Sequence, residues 1–81
     1  MLSLEAKTKL KPEEVIQRAL DFFGPKGYKL AVRQKSPECA YFEGGGGGVE
    51  INVCLEGKQT TVSFTSNEWD SQVKEFVGNL K

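Results

Sequence analysis

A strict alternation of apolar and polar side chains in the second half of the chain most constrains how it can fold. Positions 49 to 56 are V-E-I-N-V-C-L-E, so every second side chain is aliphatic. Because successive side chains of a β-strand point to opposite faces, this pattern predicts a strand with one face in the core. Gly57-Lys58 suits a tight turn, and Thr60, Val62 and Phe64 then repeat the alternation. The segment therefore predicts a β-hairpin in an antiparallel sheet with one wet face.

Three further strands are predicted on the same grounds. Residues 2–10 alternate between apolar and polar side chains, and so do residues 28–33. The pair Ser36-Pro37 ends the second of these runs, and Cys39–Glu43 is predicted to be a short return strand.

Two segments have the residue spacing of amphipathic helices. Pro12 opens the first and Gly24-Pro25 ends it, and its apolar residues are Val15, Ile16, Ala19, Leu20 and Phe23. Phe22 lies partly off this stripe, which favours its exposure to solvent. The second helix is predicted to follow a capping box at Thr65-Ser66-Asn67-Glu68, with Phe64 and Trp69 as its hydrophobic staple. Its apolar stripe is Trp69, Val73, Phe76, Val77 and Leu80.

The predicted order of elements is β-α-β-β-β-β-α. Strands joined by short turns are expected to be antiparallel neighbours, and the first strand, which leaves through a helix, is expected to pair with the last. The fold class is therefore α+β: a two-layer sandwich with a five-stranded antiparallel sheet of order 1-5-4-3-2 and both helices on one face. No repeat or long linker divides the chain, so residues 1–81 are predicted to form a single domain.

Matching the apolar faces of neighbouring strands predicts how the hairpins align, because a slip of one residue would reverse a whole face. The predicted facing pairs are Phe42 with Ile51, Tyr41 with Asn52, Cys39 with Cys54, Lys35 with Cys39, Arg33 with Tyr41, Cys54 with Thr61, and Asn52 with Ser63. The predicted open face then carries Lys29, Arg33, Lys35, Cys39, Tyr41, Glu43, Glu50, Asn52, Cys54, Thr61 and Ser63. Gln34 is the one larger polar residue predicted to point inward.

This order of elements resembles the TATA-box-binding-protein-like fold and, in shortened form, helix-grip proteins of the START and pollen-allergen type. The resemblance covers Leu2 to Leu80 and consists of topology alone, so it assigns no functional residue. The first fold implies a sheet face that binds nucleic acid. The helix-grip fold implies a ligand enclosed between the sheet and a helix. Nucleic-acid-binding members of the first fold use a basic, apolar face with Phe wedges, whereas the predicted face here has Glu43, Glu50 and one aromatic residue, Tyr41.

The charge balance and the distribution of apolar residues restrict the partners. Eleven basic residues balance eleven acidic ones, which disfavours generic binding to nucleic acid or to membrane surfaces. No apolar run approaches the roughly 18 residues that suggest a transmembrane helix. Residues 1–10 alternate instead of forming the apolar region of a signal peptide, so a cytoplasmic protein is predicted.

Basic residues flank and occupy the second predicted strand. Lys26, Lys29, Arg33 and Lys35 follow one another without an intervening acid. They could contact phosphate or an acidic partner, or they could be edge-strand charges that prevent aggregation between sheets. The candidate binding residues are Lys29, Arg33, Lys35, Tyr41 and Asn52.

Two cysteines and a glycine run are the other candidate features. Cys39 and Cys54, if cross-strand neighbours, could form a redox pair. Two thiols without any histidine make a poor zinc site, so no metal and no cofactor are predicted. Gly44–Gly48 leads into a strand, whereas phosphate-binding loops lead into a helix, so a flexible hairpin loop is favoured.

No catalytic constellation is recognisable in the sequence. It contains no histidine, and no general base is identifiable beside a cysteine or serine. The favoured hypothesis is a non-catalytic binding or interaction domain that uses the open sheet face, the second strand or the glycine run, and it includes homodimerisation. The alternatives are nucleic-acid binding through the open face and small-ligand binding between the sheet and the C-terminal helix.

Overall fold

A computed structural model describes residues 2–36 and 38–80, so Met1, Pro37 and Lys81 of the predicted single domain lie outside the described residues. All the strands form one antiparallel sheet of order β1-β5-β4-β3-β2, which confirms the predicted fold class and strand order. The elements are β1 (Leu2–Thr8), α1 (Pro12–Phe23), β2 (Ala31–Lys35), β3 (Cys39–Gly44), β4 (Gly47–Glu56), β5 (Gln59–Asn67) and α2 (Asp70–Gly78).

Both helices pack on one face of the sheet, α1 over β3 and β4 and α2 over β5. Helix α1 begins at Pro12, whose fixed φ suits a first helical turn, and Glu13 and Glu14 lie in that turn, where the helix dipole favours anions. Its inner face buries four side chains, Val15, Ile16, Ala19 and Phe23. No helix in residues 2–36 and 38–80 is long and apolar enough to cross a membrane.

The core lies between the helices and the inner face of the sheet. The aliphatic residues of β4, Val49, Ile51 and Val53, are buried there, as the alternation predicts. Phe23 is fully buried, and its ring centroid lies 5.6 Å from that of Phe42 and 5.3 Å from that of Phe76. Phe22 is half-buried against Phe23 and Phe76. The fold thus depends on a cluster of aromatic rings that joins both helices to the sheet.

The hairpin between β4 and β5 has the predicted register. Cys54 faces Thr61 and Asn52 faces Ser63, and Gly57 has a φ of 63° in the two-residue turn. The positive φ explains why glycine comes first in this turn, since other residues rarely adopt it.

The register predicted for β2 and β3 is wrong at one end. Val32 faces Phe42, but a bulge then shifts the ladder, so Gln34 faces Tyr41 and Lys35 faces Ala40. The bulge inserts one residue, which moves Gln34 to the open face and Lys35 to the helix-covered side. The bulge thus keeps the polar Gln34 side chain out of the apolar core. Its amide donates to Cys39 Sγ at 3.4 Å.

The register predicted for β3 and β4 is wrong by two residues, although each face is correct. Phe42 faces Val49, Tyr41 faces Glu50 and Cys39 faces Asn52. A shift of two leaves every side chain on its predicted face, since the side-chain period of a strand is two. The alternation could therefore not reveal the error.

The capping box predicted before α2 is wrong. Strand β5 continues through Thr65 and Ser66, which pair with β1 on one side and β4 on the other. Helix α2 begins at Asp70 with Trp69 at its N-cap position and no side-chain cap. The two neighbouring strands satisfy the backbone N–H and C=O groups of these residues. These hydrogen bonds stabilise the strand more than a single capping bond would stabilise a helix start.

Candidate functional site

The glycine run is a tight hairpin and not the loop predicted from the sequence. Gly45 and Gly46 have φ values of 58° and 83°, and the flanking Gly44 and Gly47 pair as the last residues of β3 and the first of β4. Two central residues with positive φ define a type I′ turn, whose twist matches that of the strands. Three of the five glycines therefore belong to the sheet itself.

Trp69 connects this hairpin to the start of α2. Its indole Nε1–H donates to the carbonyl oxygen of Gly44 at 2.9 Å. The rings of Tyr28 and Trp69 meet edge to face with centroids 5.8 Å apart. Partial burial of the phenol and the nearby carboxylate of Glu75 raise the pKa of Tyr28 above its usual value near 10. Trp69 therefore holds the hairpin, and Tyr28 packs against the Trp69 ring.

Replacing Trp69 with Phe is expected to lower the free energy of unfolding by about 1 kcal/mol, because it removes a part-buried hydrogen bond and retains an aromatic ring. Urea denaturation would measure the loss, and hydrogen exchange at Gly45 and Gly46 should become faster. Tyr28→Phe is the matched control, since it keeps the ring beside Trp69 and removes a hydroxyl whose hydrogen bond to Glu75 is long, at 3.4 Å, and exposed. Unchanged stability and exchange in Trp69→Phe would contradict the assigned role of the indole.

Tyr41 covers the glycine part of the open face. A Cβ placed on Gly48 would lie 2.9 Å from Tyr41 Oη and 2.8 Å from the carbonyl oxygen of Phe42. Gly48 occupies an open-face position of β4, and it is nevertheless buried. The Tyr41 side chain thus extends diagonally across the strand pair, and only glycine leaves room for it.

The result is a concave surface at one end of the open face, about 560 Å³ in volume. Four glycines, which have no side chains, contribute to its lining, and we call it the glycine concavity. The residues lining it are Tyr41, Glu43, Gly44, Gly46, Gly47, Gly48, Glu50, Thr65, Ser66 and Asn67. Carboxylate, hydroxyl, amide and phenol groups therefore lie beside the glycine backbone.

The rim of the glycine concavity is acidic. The carboxylate of Glu43 accepts from Arg33 Nη2 at 3.2 Å, an exposed ion pair. Glu50 Oε1 accepts from Asn52 Nδ2 at 3.2 Å, and within the described residues Glu50 has no cationic partner. The rim therefore carries one compensated and one uncompensated carboxylate, which attracts cations and repels phosphate.

The candidate binding residues from the sequence are not brought together as one basic surface. Tyr41 and Asn52 lie on the open face, and Arg33 forms the ion pair with Glu43. Lys29 has a φ of 63° in the segment before β2, whereas Lys35 faces Ala40 on the helix side. The prediction that Lys35 belongs to the open face is therefore wrong.

The sequence-based set missed Thr65 and Asn67 because both were assigned to a helix cap. The sequence does contain a pattern that predicts Thr65 and Asn67 on the open face, because polar side chains occur at every second position of β5. These residues are Gln59, Thr61, Ser63, Thr65 and Asn67. Glu43 and Glu50 were predicted on the open face but not among the binding residues.

The two cysteines are not directly opposite one another. Cys39 faces Asn52 on β4. Cys54 lies two residues beyond Asn52 and faces Thr61 on β5. Both thiols are free. Diagonal positions in neighbouring strands are about 7–8 Å apart. A disulfide usually needs Cα atoms within about 4.4–6.8 Å. The prediction that the thiols face each other is wrong, and a redox pair would require the strands to move.

The interface between the sheet and α2 is filled by side chains. Phe64, Val73 and Phe76 are all buried there, and the ring centroids of Phe64 and Phe76 are 5.8 Å apart. This packing gives no support to a ligand cavity at that position. Within residues 2–36 and 38–80, no group of three or more His, Cys, Asp or Glu residues is arranged to hold a metal ion.

A comparison with known proteins adds no assignment to this geometry. The sequence matches no protein-family model, and it has no significant match among curated proteins.

Proposed function

We propose that this protein is a non-catalytic binding module and that the glycine concavity is its principal binding surface. One observation carries the proposal: the five-glycine run forms an ordered hairpin, and four of its glycines line a concave surface together with functional side chains. A preformed concave surface binds at a lower entropic cost than a loop that must become ordered.

The chemistry of the rim favours a cationic group, such as a Lys or Arg side chain of a partner protein. Glu50 is free to form an ion pair, and Tyr41 offers an aromatic ring beside it. Thr65 and Asn67 add a hydroxyl and an amide on the neighbouring strand. Exposed ion pairs and cation–π contacts each contribute only about 0.5–1 kcal/mol, so the expected binding is weak unless a partner makes several contacts.

The alternatives from the sequence have less support. For nucleic acid, the only arginine of the predicted set is paired with Glu43, and Lys35 lies on the other side of the sheet. For a ligand between sheet and α2, the rings of Phe64 and Phe76 occupy that interface in the described part of the chain. We also expect the fold to be similar to TATA-box-binding-protein-like folds, and the protein to be cytoplasmic with both thiols reduced.

The proposal is tested by titrating the ¹⁵N-labelled protein with acetylated hexa-arginine and, separately, with hexa-glutamate. Hexa-arginine is expected to shift the amide signals of Tyr41, Glu50 and Thr65, and hexa-glutamate is not. Glu50→Gln should weaken binding about two- to fivefold, as expected for an exposed contact worth about 0.5–1 kcal/mol.

Glu56→Gln is the matched control, because Glu56 is an exposed carboxylate on the same face of β4, at the other end of the strand. An equal loss in both variants would mean that only overall charge matters and would contradict a defined site. Sedimentation velocity of the free protein completes the test, since a homodimer formed through the open face would cover the same residues.

A further inference from the structure

The free edge of β2 is a second surface, distinct from the glycine concavity. Strand β2 pairs with β3 on one side, and within the described residues no strand pairs with its other side. All five of its side chains are exposed. A free edge presents unpaired backbone N–H and C=O groups, to which an additional strand can bind.

A groove lies beside this edge on the helix side of the sheet. Its lining comes from one side of α1 and from the end of β2, and its volume is about 350 Å³. The lining residues are Glu13, Ile16, Gln17, Leu20, Lys35 and Ser36. Val32 points to the same side of the sheet, since it faces the buried Phe42, yet it is 38% exposed because the helices do not cover β2. An apolar side chain next to β2 would therefore contact aliphatic surface.

The charge of this edge determines which strand it can accept. Lys29 and Lys35 have no ion-pair partner within the described residues, whereas Arg33 is paired with Glu43. Two copies of β2 paired antiparallel would place these like charges close together, which is unfavourable. The lysines that oppose self-pairing favour an acidic partner.

We propose that the free edge of β2 binds an extended acidic segment of a partner protein as a sixth strand. An apolar side chain of that segment occupies the groove between α1 and β2, and its carboxylates lie near Lys29 and Lys35. The bulge after Val32 interrupts the regular edge, so the added strand is short and its register is limited.

The test uses the peptide acetyl-Glu-Thr-Ile-Thr-Glu-amide as the probe, because its isoleucine and both carboxylates share one face of a strand, and the ¹⁵N,¹³C-labelled protein. We expect amide shifts at residues 31–35 and methyl shifts at Ile16 and Leu20. Lys35→Glu should weaken binding at least tenfold. Lys58→Glu, in the turn between β4 and β5, should change it less than twofold and controls for net charge. The same peptide with Lys in place of Glu should not bind.

Three outcomes would overturn this proposal: no shifts at millimolar peptide, shifts confined to the glycine concavity, or equal effects of Lys35→Glu and Lys58→Glu. Self-association of the free protein that Lys35→Glu abolishes would assign the edge to a second copy and would overturn it as well. Glu50→Gln should leave binding of this peptide unchanged, so failure here and failure of the glycine concavity are distinguishable.

Discussion

Phe23→Ala is expected to lower the free energy of unfolding by about 3–5 kcal/mol, the usual loss for a large aromatic side chain in a core. Phe23 is fully buried, and its ring meets those of Phe22, Phe42 and Phe76 at centroid distances of 4.9, 5.6 and 5.3 Å. These contacts join α1 to β3 and α2, so the cavity would open where both layers meet. Small domains have only about 5–15 kcal/mol of stability, so much of it would be lost.

Urea denaturation followed by circular dichroism would measure this loss. Leu55→Ala is the control, because Leu55 is an aliphatic residue that is 60% exposed and should cost no more than about 0.5 kcal/mol. Similar midpoints for Phe23→Ala and Leu55→Ala would contradict the position of the core.

Gly47→Ala is expected to lower the free energy of unfolding by about 2–3 kcal/mol, because an added methyl group there has no room. Its Cβ would lie 1.9 Å from the carbonyl oxygen of Asn67 and 2.8 Å from Glu68 Cβ. Relief would require the end of β5 to move away from β4, which would break paired backbone groups.

Gly46→Asn is the matched control in the same turn. Nothing lies within 4 Å of a Cβ at Gly46, and its φ of 83° is in the left-handed region that Asn tolerates better than other non-glycine residues. We expect a change within about 1 kcal/mol. If thermal unfolding showed Gly47→Ala to be as stable as Gly46→Asn, the close approach of β5 to Gly47 would be wrong.

These two results also determine how binding should be tested. Gly47 and Gly48 leave no room for a side chain, so substitutions there would confuse unfolding with loss of binding. Glu50 is exposed, and its side chain can be changed without altering the turn. The rim is therefore the right place for binding variants.

The sequence alone was sufficient for the order of the elements and of the strands in the sheet, although the bounds of β2 and the start of α2 differ from the prediction. In β4, Val49, Ile51 and Val53 alternate so regularly that only one face could be buried, and they are buried. Short connections required neighbouring antiparallel strands, which leaves β1 to pair with β5. These features could be predicted because periodicity and loop length are local properties of the chain.

The candidate site was decided by tertiary structure. Glycines have no side chain that could indicate a face, so the turn at Gly45-Gly46 and the two-residue shift of β3 against β4 left no trace in the alternation. The approach of Tyr41 to Gly48 and the bond from Trp69 to Gly44 join residues distant in sequence. Likewise, Thr65 suits a helix cap or a strand equally well, and only its neighbours on β1 and β4 determine which one forms.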